Sequence, residues 1–208
     1  MKNKKINILG IVNILSLILF ILLIILLKFV DVGYAPNLSK IGLKSFNYLF
    51  LVKPVEWVNI IAEGMFILSI IGFVLPWIIL FLQFLKTKSL KQLDKRYVLY
   101  CILTIVVAVI YIVFDKAIVI NQRPYLYEAS FPSTHVMIFT FVTIAGFRLF
   151  FNNKSQQFKL NGYIIIAILI VLMMTFRVLV AEHWITDVIG GLLIGLFVAT
   201  LEYNIYSK

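Results

Sequence analysis

Six long apolar runs joined by short polar links decide most of what this 208-residue chain can become. They lie at roughly 6–27, 58–85, 97–120, 134–151, 161–181 and 184–205, and each is close to the about 20 residues that a membrane span needs. With 62% hydrophobic residues, the chain sits well above the roughly 45–50% apolar share of a soluble domain. The bilayer core holds no water to satisfy peptide groups, so such runs become helices. A closed barrel would instead need many short alternating strands. The expectation is an all-α fold, an integral membrane bundle of six transmembrane helices, forming a single membrane domain over 1–208 with no room for a soluble one.

The polar links set the direction of threading. The apolar run after the basic N-terminus is longer than the roughly 7–15 residues of a signal peptide's core and no small-x-small cleavage site follows, so it reads as a retained first helix. The formal charge of +10 is not gathered into a nucleic-acid-binding stripe. Lys2, Lys4 and Lys5 precede the first run, "KTKSLKQLDKR" (86–96) joins the second and third, and Arg148, Lys154 and Lys159 bracket the fourth-to-fifth link. With Lys208 these are 12 of the 19 basic residues, all on one side, which the positive-inside rule makes cytoplasmic. The reading is a multi-pass plasma-membrane protein with both termini cytoplasmic, in contact with anionic lipid and without nucleic acid as a partner. In the first outer loop, "NLSKIGLKSFNYLFLV" lies between Pro36 and Pro54. It carries Lys40 and Lys44 on one side and Ile41, Phe46, Leu49 and Phe50 near the other, the pattern of an interfacial helix. Cys101, the lone cysteine, falls inside the third run, which excludes an internal disulfide and a cysteine-based metal site and leaves it a packing role.

The outer ends of the runs carry an unexpected set of polar residues. "KAIVINQRP" ends with Arg123 and Pro124, seven positions after Lys116, and "PSTH" (132–135) opens the fourth run. "RVLVAEHWITD" puts Arg177 at the end of the fifth, with His183 and Asp187 at the start of the sixth. The alternating topology delivers all of them to one face. On a helix, His183 and Asp187 at i and i+4 share a side, so the carboxylate can accept from one imidazole nitrogen while the other faces a substrate. His135 is the other histidine of the chain, so one imidazole can attack while the second gives a proton to the leaving oxygen. Lys116, Arg123 and Arg177 supply fixed positive charge suited to phosphate, the fourth and sixth helix N-termini add free N–H groups, and Ser133 adds a hydroxyl. Phosphoryl transfer asks mainly for such positioning and charge. No cluster with metal-ligand spacing remains, which points to a reaction without metal or other cofactor. Taken singly, these residues read as a snorkelling base, a helix cap or loop punctuation. Nine of them at fixed spacings on one face do not coincide that way.

These three blocks resemble the signature K-x6-RP, PSGH and SR-x5-H-x3-D of the type 2 phosphatidic acid phosphatase family, over roughly residues 58–205. The resemblance implies a six-helix catalytic core and metal-free dephosphorylation of a lipid phosphate or pyrophosphate through a phosphohistidine. Undecaprenyl pyrophosphate, phosphatidylglycerol phosphate and phosphatidic acid are the substrates it implies, bound at the outer face of a bacterial membrane. By position, His183 would be the nucleophile, Asp187 its partner and His135 the acid. Lys116, Arg123, Ser133, Thr134 and Arg177 would bind phosphate. Thr134 stands where Gly is usual, keeping the backbone N–H, and a similar "PSTH" occurs in the sphingosine-phosphate phosphatase branch. Phe176 replaces the Ser before Arg177, and Thr175, one residue away on a helix, points elsewhere. Loss of contacts worth about 0.5–1.5 kcal/mol each, with all three cations retained, predicts a preference for a pyrophosphate head group. The same residues would serve a lipid-linked phosphotransferase, and a catalytically silent lipid-binding or transport protein is the reading that intact histidines argue against. Glu63 near the outer end of the second run, and Asp115 and Glu182 beside motif residues, are carboxylates without an assigned role; Glu63 either pairs with the basic site or sits at interface depth.

Overall fold

The computed structural model describes residues 8–30, 53–124 and 128–206. Six long helices dominate it. These are α1 Ile8–Phe29, α2 Glu56–Thr87, α3 Lys95–Ala117, α4 Thr134–Phe151, α5 Gln156–Leu179 and α6 Ile185–Tyr206. The first five are long and apolar enough to cross a membrane, and α6 is apolar over Ile185–Leu201. The expected interfacial helix at 37–52 lies outside the described residues.

Local chemistry sets the ends. Asp94 precedes α3 and accepts from the Arg96 backbone N–H at 2.9 Å, and Ser155 precedes α5 and accepts from Phe158 N–H at 3.2 Å. Both satisfy amides that the first turn of a helix leaves free. The α5 cap lies ahead of the expected start, because the polar stretch "QQFKLN" is helical although it is not apolar. Outward faces are studded with large apolar side chains such as Ile60, 76% exposed, and Leu68, 68% exposed. That suits lipid rather than water as the surroundings. Inward, Tyr100, Val107, Phe131, Met137, Phe141 and Val198 form the core.

Two contacts fix the bundle around α6. Along α1, Asn13 Nδ2 donates to the Phe197 carbonyl at 2.7 Å and to Thr200 Oγ1 at 2.9 Å, a polar lock in an otherwise apolar interface. Against α4, the small residues of "GGLLIG" allow backbone contact. A Cβ on Gly191 would meet the Ser133 carbonyl at 2.5 Å, and one on Gly195 the Met137 carbonyl at 2.8 Å. This is the small-xxx-small solution to helix packing in lipid. It holds the N-terminal ends of α4 and α6 together, with Ser133 N–H donating to the Asp187 carbonyl at 2.9 Å. At the same end of the bundle, Val55 N–H donates to the Leu179 carbonyl at 3.2 Å, tying the start of α2 to the end of α5.

Candidate active site

At this end of the bundle a cavity of about 310 Å³ opens between α2, α3 and α4, with Arg123, Thr134, His135 and His183 on its wall and Phe66, Phe114, Met137 and Ile138 continuing it toward the membrane. Polar groups thus sit at one end of the cavity and apolar ones line the rest. That division suits an amphiphile whose head is anionic.

His183 is buried, 5% exposed, and precedes α6 rather than lying on it, in a tight turn where Ala181 adopts φ 58°. The expected direct bond from its ring to Asp187 is therefore corrected. The i, i+4 rule holds only when both residues are helical, and here Nδ1 lies 3.9 Å from Asp187 Oδ2. The nearer hydrogen-bond partner of Nδ1 is the Ser130 carbonyl at 3.0 Å, with the Ser130 hydroxyl oxygen at 3.4 Å. A carbonyl only accepts, so Nδ1 carries the proton and Nε2 keeps its lone pair. Asp187 acts one step back. It accepts a short bond from the Ser130 hydroxyl, Asn121 Nδ2–H at 3.1 Å and Trp184 N–H at 2.9 Å, and so fixes the segments that hold the imidazole. Burial pushes the pKa of His183 below its ordinary value, with the Asp187 carboxylate opposing and Arg177 and Arg123 reinforcing the shift. The shift favours the neutral ring.

Arg177, the largest fully buried side chain in the described protein, gives Nη1 to Glu63 Oε1 at 2.9 Å and Nη2 to Glu182 in a short bond. Arg123 Nη1 reaches the same Glu182 at 3.3 Å, and its Nε faces Glu128 at 3.5 Å without hydrogen-bond alignment. A buried guanidinium needs such partners, since an uncompensated charge away from water is strongly unfavourable. Three buried polar atoms in this cluster still lack a hydrogen-bond partner among the described residues: Arg177 Nε, Arg123 Nε and Ser133 Oγ. Ser133 occupies the cap position of α4, yet its hydroxyl makes no capping bond.

His135 lies in the first turn of α4 with Nε2 3.3 Å from Glu63 Oε1. Its ring packs on Phe66 at 4.0 Å between centroids. One turn of α2 therefore holds it by a carboxylate and by a ring. Thr134 borders the cavity. Thr175 faces outward, exposed, with its hydroxyl bonded to the Val171 carbonyl at 2.8 Å, as expected. Lys116 is the sequence candidate that is not brought to the group. Its side chain is 78% exposed and paired with Asp115 at 2.7 Å, and Asp115, not Lys116, borders the cavity.

The sequence pattern of the PAP2 superfamily matches residues 96–208, more than half of the chain. The chain belongs to the PAP2 superfamily. This places it among the lipid phosphatases as an enzyme class and in the membrane as a location. It is also similar to the crystal structure of the first transmembrane PAP2 type phosphatidylglycerolphosphate phosphatase from Bacillus subtilis. The TM-score is 0.68 at 21% identity, over 94% of this chain and 96% of that one, so the two share a fold. No curated protein sequence matches the chain. The PAP2 match begins after α2, and Glu63 thus lies outside it.

Around the PAP2 signature, sequence reasoning missed Ser130 and Asn121, the residues that connect Asp187 to the segments on either side of Arg123. Both sit in the polar stretch flanking Arg123, where an Asn and a Ser next to an acid-base group were the available signal. An isolated antiparallel bridge joins Gln122 to Ala129, and Trp184 Nε1 donates to the Gln122 carbonyl at 2.6 Å, next to His183.

Proposed function

We propose that this PAP2 protein is a metal-independent hydrolase of a lipid phosphate or pyrophosphate, acting at the outer face through a phosphohistidine. The observation that carries the reading is the group of three buried polar atoms without a hydrogen bond among the described residues, Arg177 Nε, Arg123 Nε and Ser133 Oγ, beside an imidazole whose proton is fixed on the far nitrogen. The arginine N–H groups and the hydroxyl can all donate to a phosphate oxygen.

In this mechanism His183 Nε2 attacks phosphorus. The P–N bond forms as the P–O bond to the lipid breaks, and the leaving oxygen takes a proton from protonated His135. Water then attacks the phosphohistidine, giving its proton to His135. The P–N bond breaks, inorganic phosphate leaves and both histidines return to their starting forms. The arginines stabilise charge on the phosphoryl oxygens throughout. Asp187 is a positioning group that works through Ser130 and the backbone. Lys116 joins only by leaving Asp115 and turning inward from the rim.

The carboxylates around the site are engaged by arginine, imidazole or hydroxyl groups rather than turned toward a common point. This supports a reaction without metal. Undecaprenyl pyrophosphate, phosphatidylglycerol phosphate and phosphatidic acid remain the lipids to test. Purified protein in EDTA should release inorganic phosphate from such a panel, and His183→Ala should not. Activity that requires added divalent metal would overturn the metal-free reading.

A further inference from the structure

The leaving group's place in the cavity is marked by the atoms around His135. His135 Nε2 lies 3.3 Å from Glu63 Oε1, so a leaving oxygen that takes its proton from this nitrogen comes beside Glu63. The atom beyond that oxygen differs between substrate classes. In a monophosphate ester it is carbon. In a lipid diphosphate it is a second phosphorus, whose phosphate keeps its negative charge when the terminal phosphoryl group moves to His183.

We infer that Glu63 selects the substrate class, making this a lipid monophosphate phosphatase that discriminates against diphosphates. The inference rests on the proposed reading of the site and narrows it. Three observations support it. Glu63 places negative charge on the leaving-group side of His135, where a carbon is tolerated and a second phosphate is repelled. Its neighbour one turn on, Phe66, stacks on the same imidazole, and Phe114, Met137 and Ile138 extend the wall, which suits the carbon chain of a monoester. Among the described residues, no cation is set there to receive a second phosphate. Among the described residues bordering the cavity, Arg123 is the single arginine or lysine, and it shares Glu182 with Arg177.

The expectation of a pyrophosphate preference needed three uncommitted positive charges. Lys116 is instead held outside by Asp115, and the two arginines already face Glu63, Glu182 and Glu128. Among the described residues bordering the cavity, no second arginine or lysine is free for a second phosphate.

The test compares farnesyl phosphate with farnesyl diphosphate, which share one lipid chain, using wild type, Glu63→Gln and Glu63→Asp in detergent. Wild type should show the higher kcat/KM for the monophosphate. In Glu63→Gln the ratio of monophosphate to diphosphate kcat/KM should fall at least about tenfold, since one close charge pair at an effective dielectric of about 20 is worth that much. Glu63→Asp should keep the wild-type order. A ratio taken on one preparation does not depend on the folded fraction, so partial loss of folding around Arg177 leaves it readable. A wild type that favours the diphosphate, or a Glu63→Gln ratio that is unchanged or higher, overturns the inference. His183→Ala in the same assay separates the two readings. If it is inactive while the Glu63→Gln ratio is unmoved, only the role of Glu63 fails. If it still hydrolyses the substrates, or wild type acts on neither, the site itself has been misread.

Discussion

Gly191 is the position where the packing of the bundle and the geometry of the site meet, and replacing it by Ala tests both. The new methyl carbon would stand 2.5 Å from the Ser133 carbonyl oxygen, 3.1 Å from Val136 Cβ and 3.2 Å from the Met137 amide nitrogen. Two of the three obstacles are backbone and cannot turn aside, so α4 and α6 must move apart. Overpacking of this kind costs about 1–3 kcal/mol. The separation also pulls on the bond from Ser133 N–H to the Asp187 carbonyl, 2.9 Å long, and shifts His135 relative to His183. A displacement of about 1 Å near reacting groups can cost on the order of 10²-fold in rate. Gly64→Ala is the control. It lies on α2 beside Glu63, but a Cβ there meets nothing within 4 Å, and Ala is favoured over Gly in a helix by roughly 0.5–1 kcal/mol. Thermal unfolding in detergent and kcat/KM on one lipid phosphate should both fall in Gly191→Ala and hold or rise in Gly64→Ala. A Gly191→Ala protein with wild-type melting and turnover would refute the view that direct helix contact assembles the site.

Four further outcomes are expected. His183→Ala should lose at least about 10³-fold in kcat, as expected for a nucleophile, while vesicle-binding measurements show lipid association retained through Arg123 and Arg177. Ser130→Ala should lower kcat by roughly an order of magnitude with KM little changed, because it breaks the link from Asp187 to the loop while leaving the Ser130 carbonyl on His183; equal kcat in steady-state assays would show that the link is idle. In the proposed mechanism the neutral form of His183 attacks, and burial lowers its pKa, so the acid limb of kcat/KM assigned to this group should lie below the ordinary imidazole value of about 6.5. By linkage the unfolded chain binds the proton more readily, and the stability contributed at His183 should be present above about pH 6.5 and decline as pH falls below it; pH-resolved melting checks the sign. Finally, Glu128→Cys should react with an impermeant thiol reagent in intact cells and Gln92→Cys should not, against a native Cys101 that is buried; the reverse pattern would put the site on the inner face.

The features legible in the sequence are those set by local physics. Spans are fixed by the length and continuity of apolar runs, and α4 Thr134–Phe151 coincides with its expected run because Pro132 and a polar link bound it. The convergence of Arg123, His135, Arg177 and His183 was legible for a related reason, since alternating helices carry residues at odd ends to one face. Tertiary commitments were not. That Asp187 holds His183 through Ser130 and the Trp184 amide rather than by a direct bond depends on the turn at Ala181, which no helical periodicity encodes. That Lys116 turns to Asp115 depends on where α3 ends, in the π-helical turn Val113–Ala117, since such a turn shifts the direction of every side chain after it. The glycines of α6 were visible as letters. Their meaning appears only with α4 lying against them.

The placement of charge also accounts for why the proposed phosphate site at a membrane boundary contains so many carboxylates. Arg177 is fully buried, and the basic pair Arg123 and Arg177 would repel itself and resist burial if phosphate were its only anion. Glu63 and Glu182 let the site exist between turnovers. The same pairing limits what the site can bind, because every anion that enters must compete with carboxylates already in place. A cluster of free cations would bind phosphate more tightly and release it more slowly. One whose arginines are already partnered gives up part of that affinity and regains its own partners as phosphate departs. Glu182, which joins both arginines, should therefore govern phosphate release, while Glu63, beside His135, should govern which leaving group is accepted. Two acids on one guanidinium are thereby separated in function by the groups that lie on either side of it.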